Sequence, residues 1–160
     1  MTFPIEHRWR PAPMTSPSIP RTLREQVKLR ANSRCEYCRT SEWLSSIEGE
    51  IDHIVPRSQG GASSSENLCL ACTSCNGYKQ AKTSGVDPET GETVALFHPR
   101  RQRWKEHFTW SNDATRIVGS TACGRATVEA LRLNHPLAIS ARAIWARTGY
   151  HPPSEDEDMP

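Results

Sequence analysis

Large aliphatic and phenylalanine side chains are scarce in this sequence. Leu, Ile, Val and Phe supply 26 of its 160 residues, about 16%, below the rough 20% level expected of folded domains. Such scarcity combined with a high net charge marks disorder, yet 20 basic and 18 acidic residues leave a formal charge of only +2. Long apolar runs are missing as well. The longest, Leu68 to Cys72, has five residues, whereas a membrane helix needs about 20 and the core of a signal peptide about 7 to 15. These absences predict a soluble, cytoplasmic chain with no export signal. The length suits one domain, or one small module with extensions. Something besides apolar burial must help to fold it.

Regular structure is excluded from the start of the chain. Five of the twelve prolines fall in residues 1–20, which bars helix and central strand there and predicts a flexible arm over 1–19. Residues 151–160, with Pro152, Pro153 and the run Glu155 to Asp158, read as a solvated acidic tail. Charge is uneven in between. Residues 41–99 carry 3 basic and 8 acidic groups, against 8 and 3 in residues 1–40 and 9 and 3 in residues 100–150. An acidic centre between basic flanks suits a cation site between phosphate-attracting surfaces, although ordinary surface variation can give the same pattern.

Two units are predicted between the ends, 20–85 and 86–150. In the first, Pro20 opens a helix whose Leu23, Val27 and Ala31 share one face, and Asn32 and Ser33 end it. Residues 49–55 read as a strand, 56–61 as a turn and 67–72 as a second strand. Thr73 or Ser74 then caps a helix running to about Lys82. In the second unit, 87–91 is a turn, and 107–110 with 116–118 form a hairpin. Thr121 caps a helix reaching about Asn134, and Leu137, Ala141, Ile144 and Trp145 give the last helix an apolar face expected to bury. Gly149 closes it. His98, His107, His135 and His151 show no ligand spacing and read as structural. Trp104, Trp110 and Trp145 read as core of the second unit.

Six cysteines stand against the weak core. Cys35 and Cys38 form one CxxC and Cys72 and Cys75 another, so four thiolates can close a tetrahedral shell around structural Zn²⁺. Cys69, Cys72 and Cys75 also read as C-x2-C-x2-C. An iron–sulfur run needs a fourth cysteine soon after, and the next is Cys123. Disulfide or redox chemistry is the other alternative, and a thiol oxidoreductase would need a βαβ pattern that is missing here. Cys69 and Cys123 read as small buried residues.

Between the pairs lies Glu50-Ile-Asp-His-Ile-Val-Pro-Arg-Ser-Gln-Gly-Gly61, then Asn67-Leu, then Cys72-Thr-Ser-Cys-Asn-Gly-Tyr-Lys79. The Asp52 carboxylate can bind a hard cation such as Mg²⁺, and a neutral His53 imidazole can take a proton from water. On a regular strand these neighbours point to opposite faces. Asn76, just after the second cysteine pair, can offer an amide oxygen to the same cation. Arg57, Lys79 and Lys82 are candidate phosphate contacts, with solvated surface as the plainer reading.

Over roughly residues 20–84 this pattern of CxxC, DHxxP with a nearby GG, NL, and CxxCNxxK resembles the HNH endonuclease family. Leu96-Phe-His-Pro-Arg100, Trp104, His107-Phe-Thr-Trp110 and Gly124-Arg-Ala-Thr-Val128 are similar to an extension that follows this module in some bacterial HNH proteins. The resemblance implies an α+β, zinc-stapled ββα-metal (treble-clef-like) module with an N-terminal helix and a C-terminal hairpin plus two helices. It implies His53 as general base, Asn67 as the residue orienting the His53 loop, and Asp52 and Asn76 as ligands of a catalytic Mg²⁺ or Mn²⁺. Cys35, Cys38, Cys72 and Cys75 would hold the structural Zn²⁺. The implied reaction is hydrolysis of a DNA phosphodiester to 5′-phosphate and 3′-hydroxyl ends. Many family members carry His where this chain has Asn76. A non-catalytic zinc module that binds nucleic acid or protein is the rival, and it has no use for Asp52, His53 and Asn76 together. If zinc replaces part of the core, removing it with a strong chelator is expected to unfold the 20–85 segment, read as loss of far-ultraviolet circular dichroism.

Overall fold

The computed structural model describes residues 18–154. The arm up to residue 17 and the acidic run Glu155 to Asp158 lie outside the described residues. Helix α1 (Arg21–Arg30) follows Pro20, and the four-residue spacing works as predicted. Val27 and Ala31 are buried against Leu68 and Leu70, with Leu23 partly covered beside them. Lys28 and Arg30 occupy its last turn, where they complement the helix dipole. Asn32 and Ser33 end it with left-handed backbone, φ 48° and 52°. A short helix the sequence pattern did not reveal, α2 (Glu42–Ser45), starts where the Ser41 hydroxyl accepts the Trp43 N–H.

Strand β1 (Glu50–His53) pairs antiparallel with β2 (Leu68–Ala71), setting Asp52 opposite Cys69 and His53 opposite Leu68. β2 is buried along its whole length, and the two-residue alternation of a strand divides its side chains. Leu68 and Leu70 face α1, whereas Cys69 and Ala71 join the main core. Helix α3 (Thr73–Lys79) follows. Its cap is neither Thr73 nor Ser74 but Cys72, whose sulfur accepts the Cys75 N–H. The thiol is already turned inward toward the other cysteines, so it meets the first free N–H groups. α3 stops at Lys79 rather than near Lys82, because Gln80 leaves helical geometry at φ 49°.

The second unit begins with β3 (Ser84–Val86) and β4 (Thr93–Ala95), a pair around the predicted turn. Asp87, fully buried in that turn, takes Arg125 on both carboxylate oxygens at 2.8 and 2.7 Å. Helix α4 (Trp104–His107) leads into β5 (Phe108–Trp110), which pairs with β6 (Ile117–Gly119) as the expected hairpin. Helix α5 (Ala122–Ala130) is capped by Thr121, as predicted. It ends four residues earlier than expected, where Arg132 takes left-handed backbone at φ 48°, and Asn134 beyond it exchanges two side-chain hydrogen bonds with the Ile117 backbone at 2.9 and 2.8 Å. One apolar core holds Cys35, Tyr37, Ile54, Phe97, Trp104, Phe108 and Leu131 together. The 20–85 and 86–150 units therefore share their interior.

Helix α6 (Pro136–Arg147) corrects one expectation. Leu137 and Ile144 are 75% and 61% exposed, so only Ala141 and Trp145 of the predicted apolar face are even half-buried. The inward stripe is Ala138, Arg142 and Trp145, which line a cavity of about 430 Å³ beside Cys38, Cys72 and Cys75. Arg142 is buried because its guanidinium donates to the Leu133 carbonyl at 2.9 Å and lies 5.5 Å from the centre of the Trp110 ring. The tail also begins later than residue 151. His151 is buried edge-on against Trp110 at 4.4 Å, with Nε2 2.9 Å from the Ala114 carbonyl. No helix among the described residues is long and apolar enough to cross a membrane.

Backbone contact decides the packing of α5. A Cβ on Gly124 would lie 2.1 Å from the His107 carbonyl oxygen, and one on Gly119 would lie 2.3 Å from the Arg125 nitrogen. Gly124→Ala is therefore expected to lower stability by about 2 kcal/mol or more, read as a drop in the thermal midpoint.

Candidate active site and metal centre

The two CxxC segments converge. Cys35, Cys38, Cys72 and Cys75 bring their sulfurs within 4.8 Å of one another, with Cys38 and Cys72 at 3.7 Å. A tetrahedron with Zn–S bonds of about 2.3 Å has sulfur–sulfur edges of about 3.8 Å, so the donor set fits Zn²⁺. In each pair the second cysteine's N–H points at the first sulfur, at 3.5 Å for Cys35 and 3.4 Å for Cys72. Hydrogen bonds from Cys35, Cys72 and Cys75 hold the Cys38 thiol well below the usual range, while burial pushes Cys35 well up. The Arg142 guanidinium further favours the Cys38 thiolate. Among the described residues, no other group of three or more His, Cys, Asp or Glu side chains gathers closely enough to share an ion.

Cys69 is set apart from this cluster. Fully buried opposite Asp52, it has its pKa pushed up to about 12 by burial and then by the Asp52 charge. It is a neutral thiol at any ordinary pH.

His53 closes β1, where strand alternation sets its ring on the face opposite Asp52. Nε2 lies 2.9 Å from the Ser63 hydroxyl, a partner hidden in a serine run that carried no spacing signal. Burial lowers the His53 pKa and Arg57 and Lys79 lower it further, against the opposing pull of Asp52. The imidazole is therefore neutral at pH 7. The loop beyond it is tied by Asn67, whose Oδ1 accepts the Val55 N–H and whose Nδ2 donates to the Val55 and Ala62 carbonyls, each at 2.9 Å. Gly60 turns the chain at φ 82°, and Gly61 approaches so closely that a Cβ would meet the Val55 carbonyl oxygen at 1.8 Å.

The other face of β1 meets α3. Glu50 and Asp52 stand two residues apart on the strand, and Asn76 and Lys79 stand three apart on the helix. They associate pairwise. Lys79 Nζ lies 3.0 Å from Asp52 Oδ2 and donates to the His53 carbonyl at 2.9 Å, whereas the Asn76 amide donates to Glu50. Tyr37 donates its hydroxyl to Asp52 Oδ2 at 3.0 Å. One sequence reading changes here. Lys79, read as a phosphate contact, is 2% exposed and neutralises a buried carboxylate, because a buried charge needs an opposite partner. Asp52 and Asn76, read as ligands of one cation, each have a hydrogen-bonding partner in the β1–α3 seam, Lys79 and Glu50 respectively. Glu50, missed earlier, was detectable as the residue two before Asp52 on the same strand face. Arg57 and Lys82 are exposed, the latter with Nζ 2.5 Å from the Tyr78 carbonyl.

Residues 35–82 match the family model of the HNH endonucleases. That span begins at the first zinc-type cysteine, ends three residues past Lys79, and contains His53, Asn67 and Asn76, so the motif resemblance holds for this segment. No curated protein and no solved structure matches the chain.

Removing the Asn67 side chain strands the two partly buried Val55 backbone groups and frees the exposed Ala62 carbonyl. Asn67→Ala is expected to cost about 2 kcal/mol and to loosen residues 55–62, read as faster amide hydrogen exchange in that loop while zinc content stays at one per chain.

Proposed function

We propose that the protein is a metal-dependent DNA endonuclease that cuts phosphodiester bonds to 5′-phosphate and 3′-hydroxyl ends, with His53 as general base. The observation that carries this reading is the state of His53. It is a half-buried, neutral imidazole, hydrogen-bonded to Ser63 at the end of a hairpin fixed by Asn67, inside a segment matched by a family of endonucleases. When Nε2–H is donated to Ser63, Nδ1 carries the lone pair that can take a proton from the attacking water. Arg57, exposed and close enough to lower the His53 pKa, is placed to attract the phosphate.

Asp52 and Asn76 would hold a divalent cation, with the Glu50 carboxylate beside Asn76 as a further oxygen donor. This set of hard oxygen donors at the β1–α3 seam suits Mg²⁺ or Mn²⁺. Such an ion supplies Lewis-acid stabilisation of the charge that builds on phosphorus and on the leaving oxygen. Among the chain's own groups, Lys79 pairs with the buried Asp52 carboxylate at 3.0 Å, and the zinc-type centre holds α3 against the hairpin.

His53→Ala is expected to lower cleavage of plasmid DNA by about 100-fold or more in Mg²⁺ or Mn²⁺, with zinc content and circular dichroism retained. Because the His53 pKa lies below the ordinary 6.5, the base is already free at neutral pH. The rate is expected to fall only as the pH drops below that ordinary value. Equal cleavage by wild type and variant would remove His53 from its role, and binding of DNA without cleavage across a metal series would leave a non-catalytic zinc module.

A further inference from the structure

The segment after the HNH module has conspicuous side chains whose purpose the cleavage reading leaves unused. Two of them grip the first cysteine knuckle. The Trp104 indole N–H donates to the Tyr37 carbonyl at 2.9 Å, and Arg100 forms an ion pair with the buried Glu36. Glu36 in turn binds the edge of β2, accepting the Leu70 N–H on its carboxylate at 2.7 Å while its own N–H donates to the Leu70 carbonyl at 2.8 Å. Between these two anchors stands Tyr37, 1% exposed, with its hydroxyl on Asp52 Oδ2 at 3.0 Å. Cys69, which also reaches the Tyr37 hydroxyl at 3.5 Å, closes the network.

From this continuous set of contacts we infer that residues 86–150 serve as the positioning frame of the active site, acting through Trp104 and Arg100 on the Cys35–Cys38 knuckle and through Tyr37 on Asp52. Tyr37 and Trp104 are positioning residues. They act by fixing the Asp52 carboxylate that would hold the cation. The inference rests on the reading of Asp52 as a cation ligand. The Tyr37 phenol on Oδ2, together with Lys79 at 3.0 Å from Oδ2 and 3.3 Å from Oδ1, fixes the orientation of the Asp52 carboxylate, and loss of such an outer partner typically costs about 10- to 100-fold in metal affinity or activity.

The test uses the full-length, zinc-loaded chain. Tyr37→Phe keeps the ring and removes the hydroxyl, and Trp104→Phe keeps an aromatic core residue and removes the N–H donor. Arg125→Met serves as the comparison, since it removes the Asp87 ion pair and destabilises the same segment without touching Trp104, Arg100 or Tyr37. Mn²⁺ affinity is read from the paramagnetic resonance signal of free Mn²⁺, and kcat and KM for DNA are measured separately. Tyr37→Phe is expected to weaken Mn²⁺ binding and lower kcat by about 10-fold or more with KM unchanged. Trp104→Phe should move both in the same direction, and Arg125→Met should leave both near wild type. Equal Mn²⁺ affinity and kcat in Tyr37→Phe and wild type would overturn the inference while leaving the nuclease reading intact. A parallel loss in Arg125→Met would reduce the effect to stability and overturn it too. A wild-type chain that binds Mn²⁺ but cuts no DNA would sink the nuclease reading alone, with the Mn²⁺ comparison still deciding the frame. Absence of Mn²⁺ binding by the wild type would overturn the inference outright.

Discussion

Four sulfurs drawn from two knuckles 33 residues apart meet beneath a two-stranded hairpin, and most of the molecule is arranged around that meeting. The knuckle at Cys35 supplies Tyr37 and Glu36 to the hairpin, and the knuckle at Cys72 starts α3 by capping it with a sulfur. With so few large aliphatic side chains, the chain has limited apolar area from which to gain stability. Four thiolates that can hold Zn²⁺ offer a substitute, since a metal bound there would join distant segments through strong bonds and couple folding to metal binding. The same centre explains why the C-terminal segment is not a separate body, since its Trp104, Phe97 and Phe108 pack into the core that holds Cys35, Cys38 and Cys75.

Charge is buried around that centre in an ordered way. Asp52 with Lys79, Glu36 with Arg100 and Asp87 with Arg125 place ionised pairs where a larger protein would pack leucine. Each pair bridges segments distant in sequence, so these pairs define which surfaces meet. Burying ions is costly unless both partners and their hydrogen bonds are present. A chain built this way should tolerate few single losses in its interior. The one arginine buried without a carboxylate partner among the described residues, Arg142, is placed where it favours the Cys38 thiolate.

Much of the site was legible in the sequence because its signals are local. CxxC spacing, the Asp-His pair at a strand end, the paired glycines and the Asn before β2 are short patterns whose chemistry follows from residue type and separation. Legibility failed where a residue's role depends on what lies across from it. Lys79 looks like a surface lysine on a short helix, and only its position opposite Asp52 buries it. Ser63 gives no pattern of its own, and Tyr37 hides between two cysteines. The apolar positions of α6 suggested a buried face, yet Arg142 turned out to be the inward residue because carbonyls of other segments and the Trp110 ring were there to receive its guanidinium.

By itself the sequence determined the periodic and short-range features: α1 with its buried Val27, the hairpin and helix between the cysteine pairs, the Thr121 cap, and the identity of the four sulfur ligands. Such features depend on side-chain period, backbone freedom and donor chemistry, which are properties of neighbouring residues. Tertiary structure alone decided that Asp52 would pair with Lys79, that Asn76 would turn to Glu50, and that Trp104 would reach back 67 residues to the Tyr37 carbonyl. Those outcomes are set by which faces the strand and helices present to one another once the sulfurs have brought them together.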